Sequence, residues 1–92
     1  MRILCVCGMG LGSSLLLKMQ VESALRELNT RVDSVDIADI ATAKGTPAEL
    51  VITSPQFADM LSGMDTPVVT INNYMDKNEI RQKVAAALGL DA

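Results

Sequence analysis

Residues 3–14 read Ile3-Leu4-Cys5-Val6-Cys7-Gly8-Met9-Gly10-Leu11-Gly12-Ser13-Ser14. The apolar run Ile3 to Cys7 is too short for a helix and lacks polar alternation, which marks a strand buried on both faces. Glycines at positions 8, 10 and 12 then break the run, and a helical pattern follows from Ser13 to Leu28. In that pattern Leu17, Val21, Ala24, Leu25 and Leu28 share one helix face. A buried strand that turns through glycines into an amphipathic helix is the opening unit of a parallel α/β sheet.

The same alternation continues along the chain. Asn29-Thr30 ends the first helix, and a second strand is expected from Arg31 to Ile37, where Val35 and Ile37 alternate with Ser34 and Asp36. Asp39 to Lys44 suits a short helix, broken by Gly45-Thr46-Pro47. Leu50 to Thr53 reads as the third strand. Pro55 to Leu61 reads as a helix with proline in its first turn, stopped by Gly63. Val68 to Ile71 is the fourth strand. Asp76 and Glu79 have capping-box spacing before a last helix with Ile80, Val84, Ala87 and Leu88 on its face and Gly89 at its C-cap. The order βαβαβαβα predicts a three-layer α/β sandwich, with helices on both faces of a four-stranded parallel sheet of order 2-1-3-4. The topological switch lies between strands 1 and 3. A ligand is therefore expected at their carboxyl ends, where the loops after Cys7 and Thr53 come side by side.

At 92 residues the chain reads as a single domain, 1–92. No apolar run approaches the roughly 18–20 residues of a membrane span. The N-terminal apolar run is too short for a signal peptide, so the expected location is cytoplasmic, with no direct membrane insertion. Histidine and tryptophan are absent, which excludes a His/Cys zinc site and an internal histidine base. No metal and no cofactor are expected. A net charge of −3 with 8 basic residues argues against nucleic acid as a partner. With Tyr74 and Phe57 the only aromatic residues, stacking platforms for single strands are missing too.

The chemistry concentrates in Cys7-Gly8-Met9-Gly10-Leu11-Gly12-Ser13-Ser14. The glycines let backbone N–H groups turn inward as an anion nest, and the helix that follows adds unpaired N–H donors and a positive dipole end. Ser13 and Ser14 can cap that helix or donate hydroxyls to an oxyanion. The segment suits a tetrahedral dianion. Cys7 opens it, and a helix N-terminus lowers a thiol pKa below about 8.5, favouring the nucleophilic thiolate. No Asp or Glu occurs before Glu22 to oppose that charge. A thiolate that attacks phosphorus yields a phosphocysteine. The plainer reading is a tight strand–helix connection. Gly8-x-Gly10-x-Gly12 is neither the dinucleotide fingerprint nor a Walker A loop. Cys5 lies mid-strand and reads as a small buried hydrophobe. Cys5-x-Cys7 lacks further metal ligands and the C-x-x-C spacing of a redox pair. Met9 and Leu11, with Leu15, Leu16 and Met19 off the core stripe, suggest an apolar collar for transient docking, although some of these side chains would serve equally well to finish the core. Ser54-Pro55-Gln56 and Asn72-Asn73 end strands 3 and 4 on the same side, as rim or as ordinary turns.

Low-molecular-weight tyrosine phosphatases and their arsenate-reductase relatives use C-x5-R-[ST] on a similar strand–loop–helix. Here Ser13 stands at the arginine position, and no Asp-Pro acid follows. A nucleophile in a phosphate cradle, without the parts that promote hydrolysis, suits a carrier. Cys-Gly-x-Gly-x-Gly-Ser-Ser after the first strand, followed by a Met/Leu/Lys-rich helix, resembles the IIB component of the bacterial phosphoenolpyruvate-dependent sugar phosphotransferase system, closest to its ascorbate-type branch. Galactitol-type and lactose/cellobiose-type IIB proteins share the architecture with different loops. The resemblance covers the whole length in size and element order, and its specific part is Ile3 to Met19. It implies that Cys7 accepts a phosphoryl group from a phosphohistidine on a IIA component. Cys7 would then pass it to the sugar entering through a IIC membrane permease. It also implies a phosphate cradle at Gly8, Met9, Gly10, Leu11, Gly12, Ser13 and Ser14, in the loop between strand and helix. The collar residues Met9, Leu11, Leu15 and Met19 would meet the partners. Two other readings stand beside it: a small cysteine phosphatase or reductase, and a non-enzymatic anion-binding module.

Overall fold

Parallel pairing on both sides of its first strand organises the molecule. The computed structural model describes residues 2–6, 11–61, 63 and 65–89, with the side chains of residues 11–14 outside the description. In chain order the elements are β1 (Arg2–Val6), α1 (Leu11–Glu27), β2 (Ser34–Ala38), α2 (Ile40–Gly45), β3 (Leu50–Thr53), α3 (Pro55–Ala58) with a 3-10 turn (Asp59–Leu61), β4 (Val68–Thr70) and α4 (Lys77–Leu88). The sheet order is β2-β1-β3-β4, all parallel, as the alternation of strands and crossovers predicts.

The unbroken apolar run of β1 is explained by its two covered faces. Ile3 and Cys5 join Leu17, Val21, Leu50, Ile52, Ile80 and Val84 in a core beneath α1 and α4. Leu4 and Val6 join Val51, Ala43 and Leu61 in a second core, beneath α2 and the 3-10 turn. The predicted stripe of α1 is confirmed, with Leu17, Val21, Ala24 and Leu25 buried and Leu28 packed against them. No described helix is long and apolar enough to cross a membrane.

Several boundaries differ from the sequence expectation. α1 begins at Leu11, so residues 11–14 form its first turn and the connection from β1 is residues 7–10. Ser13 and Ser14 therefore stand inside the helix and not at its N-cap. β2 begins at Ser34 because its pairing starts where Arg2 meets Ser34. The helix expected from Pro55 to Leu61 tightens into a 3-10 turn after Ala58. On α4 the buried alanine is Ala85, and Ala87 is exposed, because Ile80 and Val84 set the line that faces the core.

The ends of the long helices follow local rules. Asn29 has φ 54°, Thr30 N–H donates to the Leu25 carbonyl and Asn29 N–H to that of Arg26, the Schellman arrangement. Gly89 closes α4 with φ 73°. An added Cβ there would meet nothing within 4 Å, so the cost of Gly89→Ala is the left-handed backbone alone. That cost is about 1 kcal/mol, or a thermal midpoint lower by about 4–8 °C in a chain of this size. An unchanged midpoint would mean that the last turn does not contribute to global stability.

Candidate functional site

The register fixes which residues share the carboxyl edge of the sheet. Val6 pairs with Ala38 on one side and Thr53 on the other, and Thr53 pairs with Thr70. Asp39, Cys7, Ser54 and Ile71 are the residues that follow this row. Cys7, Gly8, Met9 and Gly10 lie outside the described residues. The flanks of their segment are described: Val6 ends the central strand, and α1 begins at Leu11.

α1 contributes the polarity an anion needs. The first N–H groups of a helix have no intrahelical acceptor, and the dipole adds positive potential. The first turn carries no acidic residue, and Arg26 stands in the last turn. The layout favours negative charge just before Leu11.

Two hydroxyls stand at the end of β3. Thr53 is fully buried, and its Oγ1 donates to the Val6 carbonyl at 2.7 Å. The Ile71 N–H donates to the Thr53 carbonyl at 2.8 Å, which continues the tie to the segment after β4. Ser54 holds the N-cap position of α3 but makes no side-chain cap bond. Its Oγ is buried without a hydrogen-bond partner among the described residues. In the sequence Ser54 reads equally as rim or as ordinary turn, and a hydroxyl without a partner among the described residues becomes visible only in the fold.

Asn72 and Asn73 do follow β4 at this edge, but their N–H groups are engaged. The Asn72 N–H and Nδ2 donate to Glu79 Oε2 at 2.8 and 3.1 Å, and the Asn73 N–H donates to Oε1 at 3.0 Å. Lys83 Nζ lies 2.7 Å from Oε2 and also donates to the Thr70 carbonyl at 2.6 Å. The Lys83 ammonium and the N–H donors of Asn72 and Asn73 hold the Glu79 carboxyl down to about 2. The capping box is thus half realised. Asp76 Oδ1 accepts from the N–H groups of Asn78 and Glu79, as expected. The reciprocal bond is missing because Asp76 donates its own N–H to the Asn73 carbonyl, which frees Glu79 to clasp the loop.

Folding also brings carboxylates to an edge where the nearby sequence has none. Asp39 follows Ala38 and accepts the Thr42 N–H at 2.6 Å, and that bond lowers its pKa. Asp39 and Glu79 are thus each committed to N–H donors.

Of the collar residues, Leu15 and Met19 are exposed, at 51 % and 57 %. Leu16 is half-buried. Met9 lies outside the described residues, and nothing is described of the Leu11 side chain. Met75, absent from the sequence-based collar, is 68 % exposed. Its neighbour Tyr74 accepts a hydrogen bond at its carbonyl from Gln20 of α1, which ties the segment after β4 to that helix. A cavity of about 540 Å³ lies at the opposite, amino edge, lined by Lys44, Thr46, Pro47, Asp65 and Thr66 among others. It is remote from the carboxyl ends of the strands, where Thr53 and Ser54 stand.

Three comparisons with known proteins agree with one another. Residues 2–86 match the family "PTS system, Lactose/Cellobiose specific IIB subunit". The ascorbate-specific phosphotransferase-system EIIB component of Mycoplasma pneumoniae is 30 % identical over 91 residues, 96 % of this chain and 95 % of that protein. The lactose-specific IIB domain of Streptococcus pneumoniae superimposes with a TM-score of 0.59 at 14 % identity, covering 100 % of this chain and 98 % of that one, a likeness of fold. A parallel sheet of order 2-1-3-4 with a glycine-rich connection after its central strand, matched over nearly all of its length, places the chain in the IIB subunit family of the sugar phosphotransferase system.

Proposed function

We propose that this chain, acting as one IIB unit over residues 1–92, is a cytoplasmic phosphocysteine carrier with Cys7 as the phosphoryl acceptor. IIB family membership supports a phosphotransferase role in sugar uptake, with IIA and IIC components as partners in general. The observation that carries the finer reading is the position of Cys7. It follows the last residue of the central strand and precedes by four residues a helix with no acid in its first turn. In the first step the Cys7 thiolate attacks the phosphorus of a phosphohistidine on IIA. An S–P bond forms as the N–P bond breaks, and the imidazole nitrogen keeps the electron pair and takes a proton. In the second, a sugar hydroxyl at the IIC permease attacks phosphorus. An O–P bond forms, the hydroxyl proton is lost to a base, and Cys7 leaves as thiolate.

Gly8, Met9, Gly10, Leu11, Gly12, Ser13 and Ser14 are the proposed cradle. Residues 11–14 contribute as the first turn of α1 and not as loop. Leu15 and Met19, with Met9 and Leu11, form the proposed collar for IIA. The 30 % identity to an ascorbate-specific relative, over 96 % of this chain, supports ascorbate-type partners. The test is transfer from phosphorylated IIA proteins of the ascorbate and lactose/cellobiose types, with the labelled residue located by mass spectrometry. Label on Cys7, faster from the ascorbate-type donor, is the expected result. Label elsewhere removes the acceptor assignment, and a faster lactose/cellobiose-type donor removes the branch assignment.

A further inference from the structure

We infer that the Ser54 hydroxyl is a further anion-binding group of this site, contributed from β3 and reserved for the charge that Cys7 carries. The inference rests on the reading of Cys7 as phosphoryl acceptor and adds a group outside the glycine segment.

Three observations converge on it. Thr53 and Val6 are register partners, joined by the 2.7 Å bond from Thr53 Oγ1 to the Val6 carbonyl. Cys7 and Ser54 are each one peptide bond beyond that pair. The carbonyl held by Thr53 is that of Val6, the last residue of β1 and the one before Cys7 in sequence. Second, Ser54 Oγ is shielded from solvent and has no partner among the described residues. A buried hydroxyl without a bond is costly, and native proteins retain few of them. Third, Ser54 occupies an N-cap position, the usual use of such a hydroxyl, and makes no cap bond. Among the described residues, therefore, nothing uses this group. An O–H donor of this kind binds a thiolate or a phosphoryl oxygen with a charge-assisted bond, stronger than one between neutral groups. No covalent bond of Ser54 changes in the process.

The experiment compares wild type, Ser54→Ala and Ser54→Thr by thermal unfolding, by the pH profile of Cys7 alkylation with iodoacetamide, and by loading from a phosphorylated IIA protein. Both Asp39 and Glu79 are present in all three proteins, so their charges cancel in the comparison. Ser54→Ala should unfold at the wild-type temperature or slightly above it, because it removes an unsatisfied group. Its alkylation midpoint should rise by about half a pH unit or more, and its loading rate should fall about tenfold, the scale of one charge-assisted bond. Ser54→Thr keeps a hydroxyl and should restore both. Wild-type alkylation and loading in Ser54→Ala would overturn the inference, since the hydroxyl would then serve at most a bound water. A clear loss of thermal stability in Ser54→Ala would overturn it too, since the hydroxyl would already be bonded in the unloaded fold. If the wild-type protein takes no label on Cys7, the carrier reading fails, and the alkylation midpoints still decide whether Ser54 acts on the thiolate.

Discussion

Cys7→Ser is expected to abolish phosphoryl transfer from the IIA donor to below detection while leaving the thermal midpoint within about 2 °C of wild type, a change too small for any lost core contact. The thiolate is the nucleophile, and a helix N-terminus draws a thiol toward that form at neutral pH. A serine hydroxyl in its place stays protonated, and the chain has no histidine to serve as its base. Cys5 provides the control. It is fully buried in the core beneath α1 and α4. Cys5→Ala should retain transfer and cost about 1 kcal/mol for the small cavity left behind. Transfer from IIA, counted as label bound per protein, is the measurement. Label on Cys7→Ser, or loss of label in Cys5→Ala with the fold intact, would reverse the roles of the two cysteines.

Glu79→Ala should be the most destabilising single change outside the hydrophobic core, by about 2 kcal/mol at pH 7, or a midpoint lower by about 8–16 °C. One half-buried carboxylate gathers two backbone N–H groups, the Asn72 amide and the Lys83 ammonium. Their loss leaves the segment after β4 held by the Ile71 bond to Thr53, the Gln20 bond to Tyr74, the turn at Asn73 and the Lys83 bond to Thr70. The sign of the pH dependence follows from the lowered pKa. The folded value of about 2 lies below the ordinary 4.5, so the folded state favours the charged form. Its contribution is complete above about pH 5 and disappears as pH falls toward 2, where both states are protonated. Full conversion of the shift would give about 3 kcal/mol, and residual solvent screening at a partly exposed group reduces it to about 2. Thermal midpoints of wild type and Glu79→Ala should therefore converge between pH 5 and 2. Parallel curves across that range would show that the clasp contributes nothing through its charge.

Element order, parallel topology and the buried stripe of α1 were legible because each is written in neighbouring residues. An apolar run of five, a cluster of glycines and a 3.6-residue repeat need no distant partner to be read. The same locality made Asp76 and Gly89 readable as caps, since a cap bonds within its own turn. Where the reading missed, a local signal met a competitor from elsewhere. Ser13-Ser14 has the composition of a helix start, but α1 begins at Leu11 and those residues fall within its first turn. Glu79 has capping-box spacing, but the turn at Asn73 had already taken the Asp76 N–H. Ala85 replaced Ala87 because packing against α1 and the sheet sets the angle of α4, which a helical repeat alone leaves free by tens of degrees.

Neighbouring residues sufficed to show that a buried strand leads into the glycine-rich stretch opened by Cys7, that a helix comes after it, and that Cys5 belongs to the core. Tertiary structure alone decided how the donors and acceptors at the carboxyl edge are spent. Thr53 holds the Val6 carbonyl across a separation of 47 residues. Glu79 takes the N–H groups of Asn72 and Asn73. Ser54 keeps a buried hydroxyl that no described residue engages. A hydrogen bond depends on distance and angle between two groups, and for groups far apart in the chain those are fixed only when the strands find their register.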